Sequence, residues 1–270
     1  MIGATISDQE FDRLRRFFQQ ASGIHLGDSK RELVCGRLSK RLRQLSLGSY
    51  RDYLAFIEQP AHAQERQMAI DLLTTNETHF FREPKHFDRL RSAVQERLQR
   101  GLSGPLRIWS AACSTGEEPY SLAMTLAELL GDRPWQIVAS DLSTKVLADA
   151  QRAIYGRQRA DEVPRELARR YLLEGYDECE GLYQIDPGLC KRVSFRQINL
   201  MEPLPRMESF DFIFLRNVLI YFDTAAKRRI VESVVSRLKP AGLLFIGHSE
   251  TLGGVTDVVR QVVPTVYQRE

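Results

Sequence analysis

One short turn in the sequence places a carboxylate among small residues. Residues 110–119 read Ser-Ala-Ala-Cys-Ser-Thr-Gly-Glu-Glu-Pro and follow the apolar run 106–110. Small residues at a strand-to-helix turn let the backbone approach a ligand closely. Glu117 suits a ligand with a cationic end, such as an amino acid, whereas a phosphate binder would present bare amides and a lysine. An ordinary tight turn with acidic residues at a helix N-terminus explains the same residues equally well.

A second carboxylate, Asp141, ends the next apolar run, residues 135–140. An acidic residue at the carboxyl end of the second strand is where α/β nucleotide binders hold a ribose diol, through hydroxyl-to-carboxylate hydrogen bonds. Asp is also a preferred N-cap, so Asp141 could instead begin the following helix. Together with Glu117, the pattern favours a nucleoside that carries an amino acid tail.

Polar residues follow two later apolar runs. Arg216, Asn217 and Tyr221 come after the run 210–215, and Asn199-Leu200 comes after residues 193–198. Because ligands of open sheets lie beyond the carboxyl ends of the strands, these residues are expected to face one crevice. A tyrosine in an apolar stretch is more often a core residue than a catalyst, but the Arg-Asn pair before Tyr221 weakens that interpretation.

The segment 74–84 reads Thr-Thr-Asn-Glu-Thr-His-Phe-Phe-Arg-Glu-Pro. Its two phenylalanines require burial, which would fix Asn76, Thr78 and Arg82 near whatever buries them. A buried junction of this kind could form one wall of the crevice. The alternative is a capped helix start with incidental aromatic residues.

The elements that position these residues alternate between strand and helix from residue 106 onward. Strands are predicted at 106–110, 135–140, 210–215 and 243–247, with helices at 118–130, 144–153 and 225–238. This alternation predicts an α/β fold with a doubly wound, mostly parallel sheet. Residues 262–268 are predicted to add an antiparallel edge strand. Residues 174–194, rich in glycine and short β-prone pieces, are interpreted as a small β insertion.

Residues 1–75 predict a small all-helical domain. Ser7 is a plausible N-cap with Glu10 three residues later, and Gly23 ends the first helix. A second helix is expected to begin near Asp28 or Ser29 and to present one apolar face. That face carries Val34, Leu38, Leu42 and Leu45. Residues 50–58 and 64–73 supply two further short helical patterns.

A basic run lies on the second of these helices. Residues 30–45 contain six basic residues and one acidic residue, and a stripe beside the apolar face carries Lys30, Arg37, Lys40 and Arg41. A charge run is usually a solvated helix face. The functional alternative is docking of an anionic surface, either nucleic acid phosphate or an acidic protein helix.

Composition limits the remaining possibilities. The 270 residues are 43% hydrophobic and 27% charged, with a net charge of +3, which is typical of a globular protein. The N-terminal residues resemble no signal peptide, and no apolar stretch is long enough to cross a bilayer, so a cytoplasmic protein is expected. The four cysteines lack zinc-type spacing and are expected to be free thiols. The five histidines are scattered, so no metal site is expected.

Five segments in this order resemble the chemotaxis receptor methyltransferase family, the CheR type, and the resemblance covers nearly the whole chain. They are residues 75–83, 108–121, 139–141, 216–223 and 238–250. The resemblance implies a seven-stranded fold of the S-adenosylmethionine-dependent methyltransferase type. It also implies domains at 1–75 for receptor docking and at 85–270 for cofactor binding, with 76–84 as a linker that lines the cofactor site.

The activity that this resemblance implies is methylation of glutamate side chains on the cytoplasmic helical domain of chemoreceptors. S-adenosyl-L-methionine would be the methyl donor and S-adenosyl-L-homocysteine the product. The family's cofactor residues match Asn76, Thr78, Arg82, Glu117, Asp141, Asn199, Leu200, Arg216 and Asn217. The positions that match Arg82 and Tyr221 are assigned to catalysis. No nucleic acid and no membrane insertion are implied.

One departure concerns the β insertion. Family members that tether to a receptor's C-terminal peptide do so through a Gly-x-Gly loop in this insertion. Here Asp177 stands where the second glycine would be expected after Gly175. We therefore expect an enzyme that works without the tether.

Two rival functions were weighed against this one. A nucleic acid methyltransferase that modifies base amino groups would carry an Asn/Asp-Pro-Pro-aromatic motif after the fourth strand, where this sequence has Arg216-Asn-Val-Leu. A C5 methyltransferase would need a cysteine after a proline, and none is present. The second rival is a cofactor-sensing module without activity, and the retention of Arg82 and Tyr221 argues against it.

Overall fold

The computed structural model describes residues 6–101 and 104–269. The chain divides into two compact units. The first contains residues up to Thr75 together with Tyr221–Ala226, and the second contains Asn76–Ile220 and the chain from Lys227 onward.

The first unit is helical, as its periodicity predicts. Its α-helices are α1 (Asp8–Ser22), α2 (Arg31–Gln44), α3 (Tyr50–Ile57) and α4 (Ala63–Leu73), and 3₁₀ turns occupy Asp28–Lys30 and Pro60–His62. Ser7 and Glu10 form the predicted capping box, in which each side chain accepts from the other residue's backbone N–H. Gly23 ends α1 with a φ of +76°, a conformation that glycine adopts without strain.

The apolar faces of these helices pack into one core. Val34 and Leu38 of α2 are fully buried against the core that also contains Phe11, Phe18 and Tyr53. The start predicted for the second helix is a 3₁₀ turn, and α2 itself begins at Arg31. Arg37 donates two hydrogen bonds to the carbonyls of Leu72 and Thr74, 2.9 and 2.8 Å long, and so satisfies carbonyls at the end of α4.

The second unit contains the predicted doubly wound sheet. The strands of the unit are β1 (Leu106–Ser110), β2 (Trp135–Asp141), β3 (Ile154–Gly156), β4 (Leu172–Glu174), β5 (Leu182–Ile185), β6 (Val193–Gln197), β7 (Phe210–Leu215), β8 (Leu238–Ile246), β9 (Val259–Val263) and β10 (Val266–Arg269). Seven of them form the sheet in the order β6-β2-β1-β7-β8-β10-β9. All neighbouring pairs from β6 to β8 are parallel, and β10 is antiparallel to both of its neighbours.

Helices connect these strands. The longest is α5 (Pro84–Gln99), which precedes β1 and begins where the alternative interpretation of residues 74–84 placed a helix start. The others are α6 (Glu117–Leu130), α7 (Thr144–Arg152), α8 (Arg157–Ala160), α9 (Arg165–Tyr171), α10 (Pro187–Cys190) and α11 (Thr224–Val235), and 3₁₀ turns lie at Asp177–Cys179 and Leu219–Tyr221.

Two β predictions differ from the structure. The single edge strand expected at 262–268 is the hairpin of β9 and β10, with β9 at the sheet edge. The small antiparallel sheet has the order β3-β5-β4 and begins at Ile154, well before the predicted insertion at 174–194. Val193–Gln197, assigned in part to that insertion, belongs to the large sheet, because Val193 pairs in parallel with Ile137 of β2.

The parallel register brings three strand ends to one edge of the large sheet. Ser110 of β1 lies opposite Ala139 of β2 and Phe214 of β7, so the turns that follow these strands meet. Every residue of β7 is buried, and the rings of Phe214 and Phe245 stack with centroids 4.3 Å apart. The polar residues predicted to do chemistry therefore follow rigid, buried strands.

Within residues 6–101 and 104–269, no helix combines the length and the apolar character that a membrane span requires.

Candidate cofactor and active site

The turn after β1 is held tightly at the strand ends. Cys113 donates its N–H to the carbonyl of Ser140, and Ser114 donates its N–H to Asp141 Oδ2, at 2.8 and 2.9 Å. Gly116 has a φ of +98°, and a Cβ there would come within 2.7 Å of the Tyr155 hydroxyl. The glycine therefore serves both the backbone conformation and the close approach of a neighbouring side chain.

Asp141 organises the turn that follows β2. Its Oδ1 accepts the N–H of Ser143 at 3.0 Å, while Oδ2 accepts that of Ser114. The N-cap of α7 is Ser143, whose hydroxyl accepts from Val146, so the alternative interpretation of Asp141 as the cap is wrong. A carboxylate oxygen has two lone pairs and can accept more than one hydrogen bond.

Glu117 is a fully buried carboxylate at the start of α6. Thr115 Oγ1 donates to its Oε2 and Arg159 Nη1 donates to its Oε1, both at 2.7 Å. Burial raises the pKa of Glu117, and the bond from Thr115 and the charge of Arg159 offset this effect only in part. A buried carboxylate whose pKa is shifted by burial and by a charged partner is a candidate for a functional site.

Arg216 is a buried cation between two carboxylates. Its guanidinium, 2% exposed, pairs with Glu83 and with Glu118, each at 3.0 Å. It also donates to the carbonyl of Arg82 at 2.5 Å. Ser110 Oγ completes the group by donating to Glu118 at 2.7 Å. Arg216 thus fastens the segment before α5 to the ends of β1 and β7.

Asn217 lies in a strained loop that a second buried carboxylate holds. Its φ is +56°, and its N–H donates to Glu250 Oε2 at 2.9 Å. Gly247 and Ile220 donate their N–H groups to the same carboxylate, at 2.6 and 3.3 Å. Asn217 Nδ2 donates to Glu83 at 3.2 Å. Glu250 therefore shapes the loop in which Arg216 and Asn217 stand.

The segment 76–84 is pinned along its length rather than solvated. Ser114 Oγ donates to the carbonyl of Asn76, and Phe81 donates its N–H to Ser121 Oγ, both at 3.0 Å. Phe80 is buried, with its ring 4.9 Å from that of Tyr155, while Phe81 is half-buried. Thr78 and Arg82 are half-buried, and Arg82 Nη1 donates to the carbonyl of Glu77 at 3.0 Å.

Strained backbone conformations occur in the loops around this edge. Positive φ angles occur at Phe81 (+53°), Glu83 (+59°), Ser114 (+48°) and Asn217 (+56°). Such conformations are unfavourable for residues other than glycine and persist where the surroundings over-determine them. Four such residues in the loops of one sheet edge support the assignment of that edge as the functional site.

Asn199 and Leu200 reach the same edge from β6. The N–H of Ile198 donates to the carbonyl of Asp141 at 3.0 Å, which joins the two strand ends. Asn199 Oδ1 accepts from the N–H of Met201 and its Nδ2 donates to Glu202, both at 3.1 Å. Asn199 and Leu200 are both half-buried, next in sequence to the residue that meets Asp141.

Glu83, His86 and His248 form a polar cluster behind the Arg216 pair, with their candidate ligand atoms within 4.8 Å of one another. Burial alone would raise the pKa of Glu83, but His86, Arg216 and the N–H of His248 together hold it well below its usual range. Burial lowers the pKa of His86. Because Arg216 already supplies a cation to Glu83, we interpret this cluster as an ion-pair network.

The remaining predicted residues lie in the first unit. Tyr221 ends the 3₁₀ turn after Asn217 and is half-buried, and its carbonyl accepts the N–H of His25 at 3.5 Å. Arg41 pairs with Glu65 and donates to Gln44, so it has internal partners, as Arg37 does. Lys30 and Lys40 are exposed.

Four residues of the site were not predicted as functional. Glu83 and Glu250 lie inside segments that carry the family resemblance, and Glu118 directly follows Glu117, so their positions were a usable signal. Arg159 gave none, because it follows a short strand far along the chain and reaches Glu117 only through the fold.

The chemical groups at this edge fit S-adenosylmethionine. A nucleoside needs an acceptor for its ribose diol, which Asp141 offers, and an amino acid tail needs a buried anion for its ammonium, which Glu117 offers. The small-residue turn connects the two carboxylates, because Ser114 donates to Asp141 and Thr115 donates to Glu117. A doubly wound sheet with this edge defines the class of S-adenosylmethionine-dependent methyltransferases.

Comparison with known proteins identifies the family. Residues 76–268 match the model "CheR methyltransferase, SAM binding domain", and residues 9–74 match "CheR methyltransferase, all-alpha domain". The chain therefore belongs to the CheR methyltransferase family, and its cofactor is S-adenosyl-L-methionine.

Similar proteins with curated names cover almost the whole chain. Chemotaxis protein methyltransferase 2 of Pseudomonas aeruginosa is 44% identical, over 96% of this chain and 95% of its own length. Chemotaxis protein methyltransferase of Escherichia coli is 43% identical, over 91% and 85%. Among solved structures, the amino pentose methyltransferase CalS10 of Micromonospora echinaspora is 16% identical, with a TM-score of 0.38 over 74% of this chain and 59% of its own.

Proposed function

We propose that this protein transfers a methyl group from S-adenosyl-L-methionine to glutamate side chains on the cytoplasmic helical domain of chemoreceptors. The products would be glutamate methyl esters and S-adenosyl-L-homocysteine. The observation that carries the proposal is the 44% identity to a chemotaxis protein methyltransferase over nearly the full length of both chains. Methylation of this kind would serve sensory adaptation in the cytoplasm.

The acceptor chemistry agrees with the groups at the site. A glutamate carboxyl, with a reference pKa near 4.3, is ionised at neutral pH and needs no general base. When bound, S-adenosylmethionine supplies an electrophilic methyl group on its sulfonium. The protein then has to hold an acceptor oxygen in line with that methyl, about 3 Å away.

Arg82 is the residue proposed to align the acceptor. Its guanidinium donates to the carbonyl of Glu77, and its own carbonyl is fixed by the buried Arg216. The backbone is thus anchored while the side chain retains donors for an incoming carboxylate. Its pairing with the acceptor should be weak, because the carboxylate loses charge in the transition state. Tyr221 is proposed to donate a hydrogen bond that orients the same carboxylate.

Cofactor binding is proposed to involve the residues that end the strands and the segment 76–84. Asp141 would accept from the ribose and Glu117 from the ammonium group. Arg216 would contribute indirectly, because its ion pairs fix the positions of Glu83 and Glu118. The full proposed set is Asn76, Thr78, Arg82, Glu117, Asp141, Asn199, Leu200, Arg216 and Asn217.

Receptor docking is proposed for the helical N-terminal domain, residues 1–75. Within the basic stripe, Arg37 and Arg41 bind groups of α4 and its end, so they hold helices together. The exposed Lys30 and Lys40 are therefore the residues proposed to contact an anionic partner. The linker 76–84 and the domain 85–270 complete the proposed division.

A receptor tether through the small sheet is not part of the proposal. Asp177, at the position of the expected second glycine, has a φ of +53°, a conformation that Asp tolerates better than most residues. Gly175 packs so closely on the Cys179 backbone that a Cβ would clash there. Equal methylation rates for receptors with and without their C-terminal peptide are expected.

The test uses the purified protein, tritium-labelled S-adenosylmethionine and cytoplasmic receptor fragments. Label should appear on the fragment and be released as methanol by mild alkali, because methyl esters hydrolyse there while N-methyl and C-methyl groups survive. An Arg82→Ala protein provides the background. Alkali-stable label, or label on RNA or DNA in place of the fragment, would refute the glutamate assignment.

A further inference from the structure

We propose that Arg159 binds the carboxylate of the cofactor's amino acid end, so that Glu117 and Arg159 together recognise a zwitterion. The inference deepens the proposed function and rests on the cofactor site that it assigns. The residue belongs to none of the segments that carry the family resemblance. It would act as a determinant of specificity for ligands that carry an intact α-amino acid.

The geometry places Arg159 directly on the proposed ammonium site. Its Nη1 lies 2.7 Å from Glu117 Oε1 and 3.2 Å from Thr115 Oγ1. Glu117 is fully buried while the Arg159 side chain is 50% exposed, so the guanidinium covers the carboxylate from the solvent side. A ligand that reaches Glu117 from this side therefore meets Arg159.

The base of Arg159 is anchored to the same turn. It belongs to α8, whose first residue, Arg157, donates its N–H to the carbonyl of Gly181 at 2.9 Å. Just before α8, the Tyr155 hydroxyl donates to the carbonyl of Thr115 at 2.8 Å. The backbone that carries Arg159 is thus fixed relative to Glu117, and only the long side chain has to move to admit a ligand.

Charge balance favours a change of partner, in which Arg159 moves from Glu117 to the carboxylate of the ligand. An α-amino acid brings an ammonium and a carboxylate a few bonds apart. If Glu117 takes the ammonium, the ligand's carboxylate is left beside a second buried carboxylate unless a cation stands between them. Arg159 is that cation. Its planar guanidinium can release Glu117 and pair with the ligand's carboxylate with two parallel hydrogen bonds.

A purely structural ion pair is the competing explanation. Pairs with a half-exposed arginine contribute little to stability, because solvent screens them and ordering the side chain opposes them. The two explanations differ in what a ligand without a carboxylate would experience. Such a ligand would still place its ammonium group on Glu117 but would have no carboxylate to pair with Arg159.

The test is calorimetric titration of the Arg159→Gln protein with three ligands: S-adenosylmethionine, S-adenosylhomocysteine and decarboxylated S-adenosylmethionine. We expect the dissociation constants of the first two to rise by about tenfold or more, in line with the loss of a charge-assisted hydrogen bond. The constant for the decarboxylated ligand should stay near that of the unchanged protein. Arg159→Lys should fall between the two, since it keeps the charge without the fork.

Arg157→Gln is the matched control, because Arg157 lies on the same short helix and pairs with Glu174 of the small sheet. Thermal unfolding without ligand should show all three variants folded. Equal losses for all three ligands, unchanged affinities, or tighter binding of S-adenosylmethionine by Arg159→Gln would overturn the inference. If the unchanged protein itself does not bind S-adenosylmethionine, the assigned cofactor site fails instead, so the two failures are distinguishable.

Discussion

Two buried glutamates at the sheet edge have opposite electrostatic environments. Glu83 accepts hydrogen bonds from Arg216, Asn217 and the backbone N–H of His248 and lies 3.2 Å from His86 Nδ1, and these neighbours hold its pKa low despite burial. Glu117 has two donors for two buried oxygens, and burial keeps its pKa raised. The fully satisfied carboxylate stabilises the site, whereas the under-satisfied one is prepared for a cationic ligand.

Replacement of Glu117 by Gln should separate binding from stability. The folded protein disfavours ionised Glu117, so its charge lowers stability as the pH rises from the unfolded pKa through the raised folded pKa. Glu117→Gln should therefore leave the melting temperature at pH 7 unchanged or higher while weakening S-adenosylmethionine binding by about tenfold or more. Titration calorimetry and thermal unfolding measure the two effects. A lower melting temperature with normal affinity would contradict this account.

The same residue predicts a pH dependence of binding. As the pH falls toward the raised pKa of Glu117, the carboxyl takes up a proton and loses its attraction for an ammonium group. S-adenosylmethionine affinity should therefore fall with decreasing pH, and the Glu117→Gln protein should show a flatter profile. Parallel profiles for the two proteins would exclude Glu117 as the ammonium acceptor.

The catalytic assignments predict different kinetic losses. Arg82→Ala should lose most turnover, because the acceptor carboxylate is no longer aligned. Tyr221→Phe should lower kcat while the dissociation constant for S-adenosylmethionine is largely kept. Labelled methyl transfer under saturating cofactor, with the affinities measured separately, checks both. A fully active Arg82→Ala enzyme would refute its role.

At the scale of elements, the loops at the strand ends are held by buried ions rather than by apolar packing. Glu250 gathers the N–H groups of Gly247, Asn217 and Ile220, and Arg216 joins Glu83 to Glu118. These contacts hold Glu83 and Asn217 in left-handed conformations. Parallel strands bring the loops together, and the ions determine their shape.

Arg216→Ala should be strongly destabilising for this reason. It leaves Glu83 and Glu118 buried without their shared cation and releases the carbonyl of Arg82, for an expected loss of about 3–5 kcal/mol in the free energy of unfolding. Urea unfolding measures it. The matched control is Arg229→Ala, an exposed arginine on α11, which should change stability by less than about 0.5 kcal/mol. Equal, small effects would show that the network does not hold the loops.

The elements themselves were largely predictable from the sequence. Strong periodicity and buried apolar runs gave α1, α6, β1, β2 and β7 nearly to the residue. The start of β6 was assigned to the β insertion because Val193 follows irregular, glycine-rich sequence, and only pairing with β2 shows where it belongs. The start of helix α5 at Pro84 was predicted only as the alternative interpretation of residues 74–84, and the extent of the helix was not predicted.

At the scale of the whole molecule, acid stability should report on the Glu83 network. Because its folded pKa is depressed, the stability from Glu83 is fully present above its unfolded pKa, about 4.3, and is lost as the pH falls through the lower folded value. The free energy of unfolding should therefore decline below about pH 5. Glu83→Gln should show a shallower decline, while Glu178→Gln, at an exposed position, should not. Identical pH curves for all three proteins would contradict this.

The carboxylates at the strand ends of the candidate site were predictable from the sequence, and the residues that support them were not. Glu117 and Asp141 stand next to strand ends, so their types and positions alone indicate a ligand. Arg216 is placed by the same logic, but its partnership with Glu83, far away in sequence, is visible only after folding. Long-range ion pairs leave no periodic signal, which is why Glu83, Glu250 and Arg159 were not predicted as site residues.

A crystal structure with S-adenosylhomocysteine bound is the most direct test of the central claim. The account predicts the ribose hydroxyls within hydrogen-bond distance of Asp141 and the ammonium group on Glu117. A well-ordered ligand that contacts neither carboxylate would contradict it.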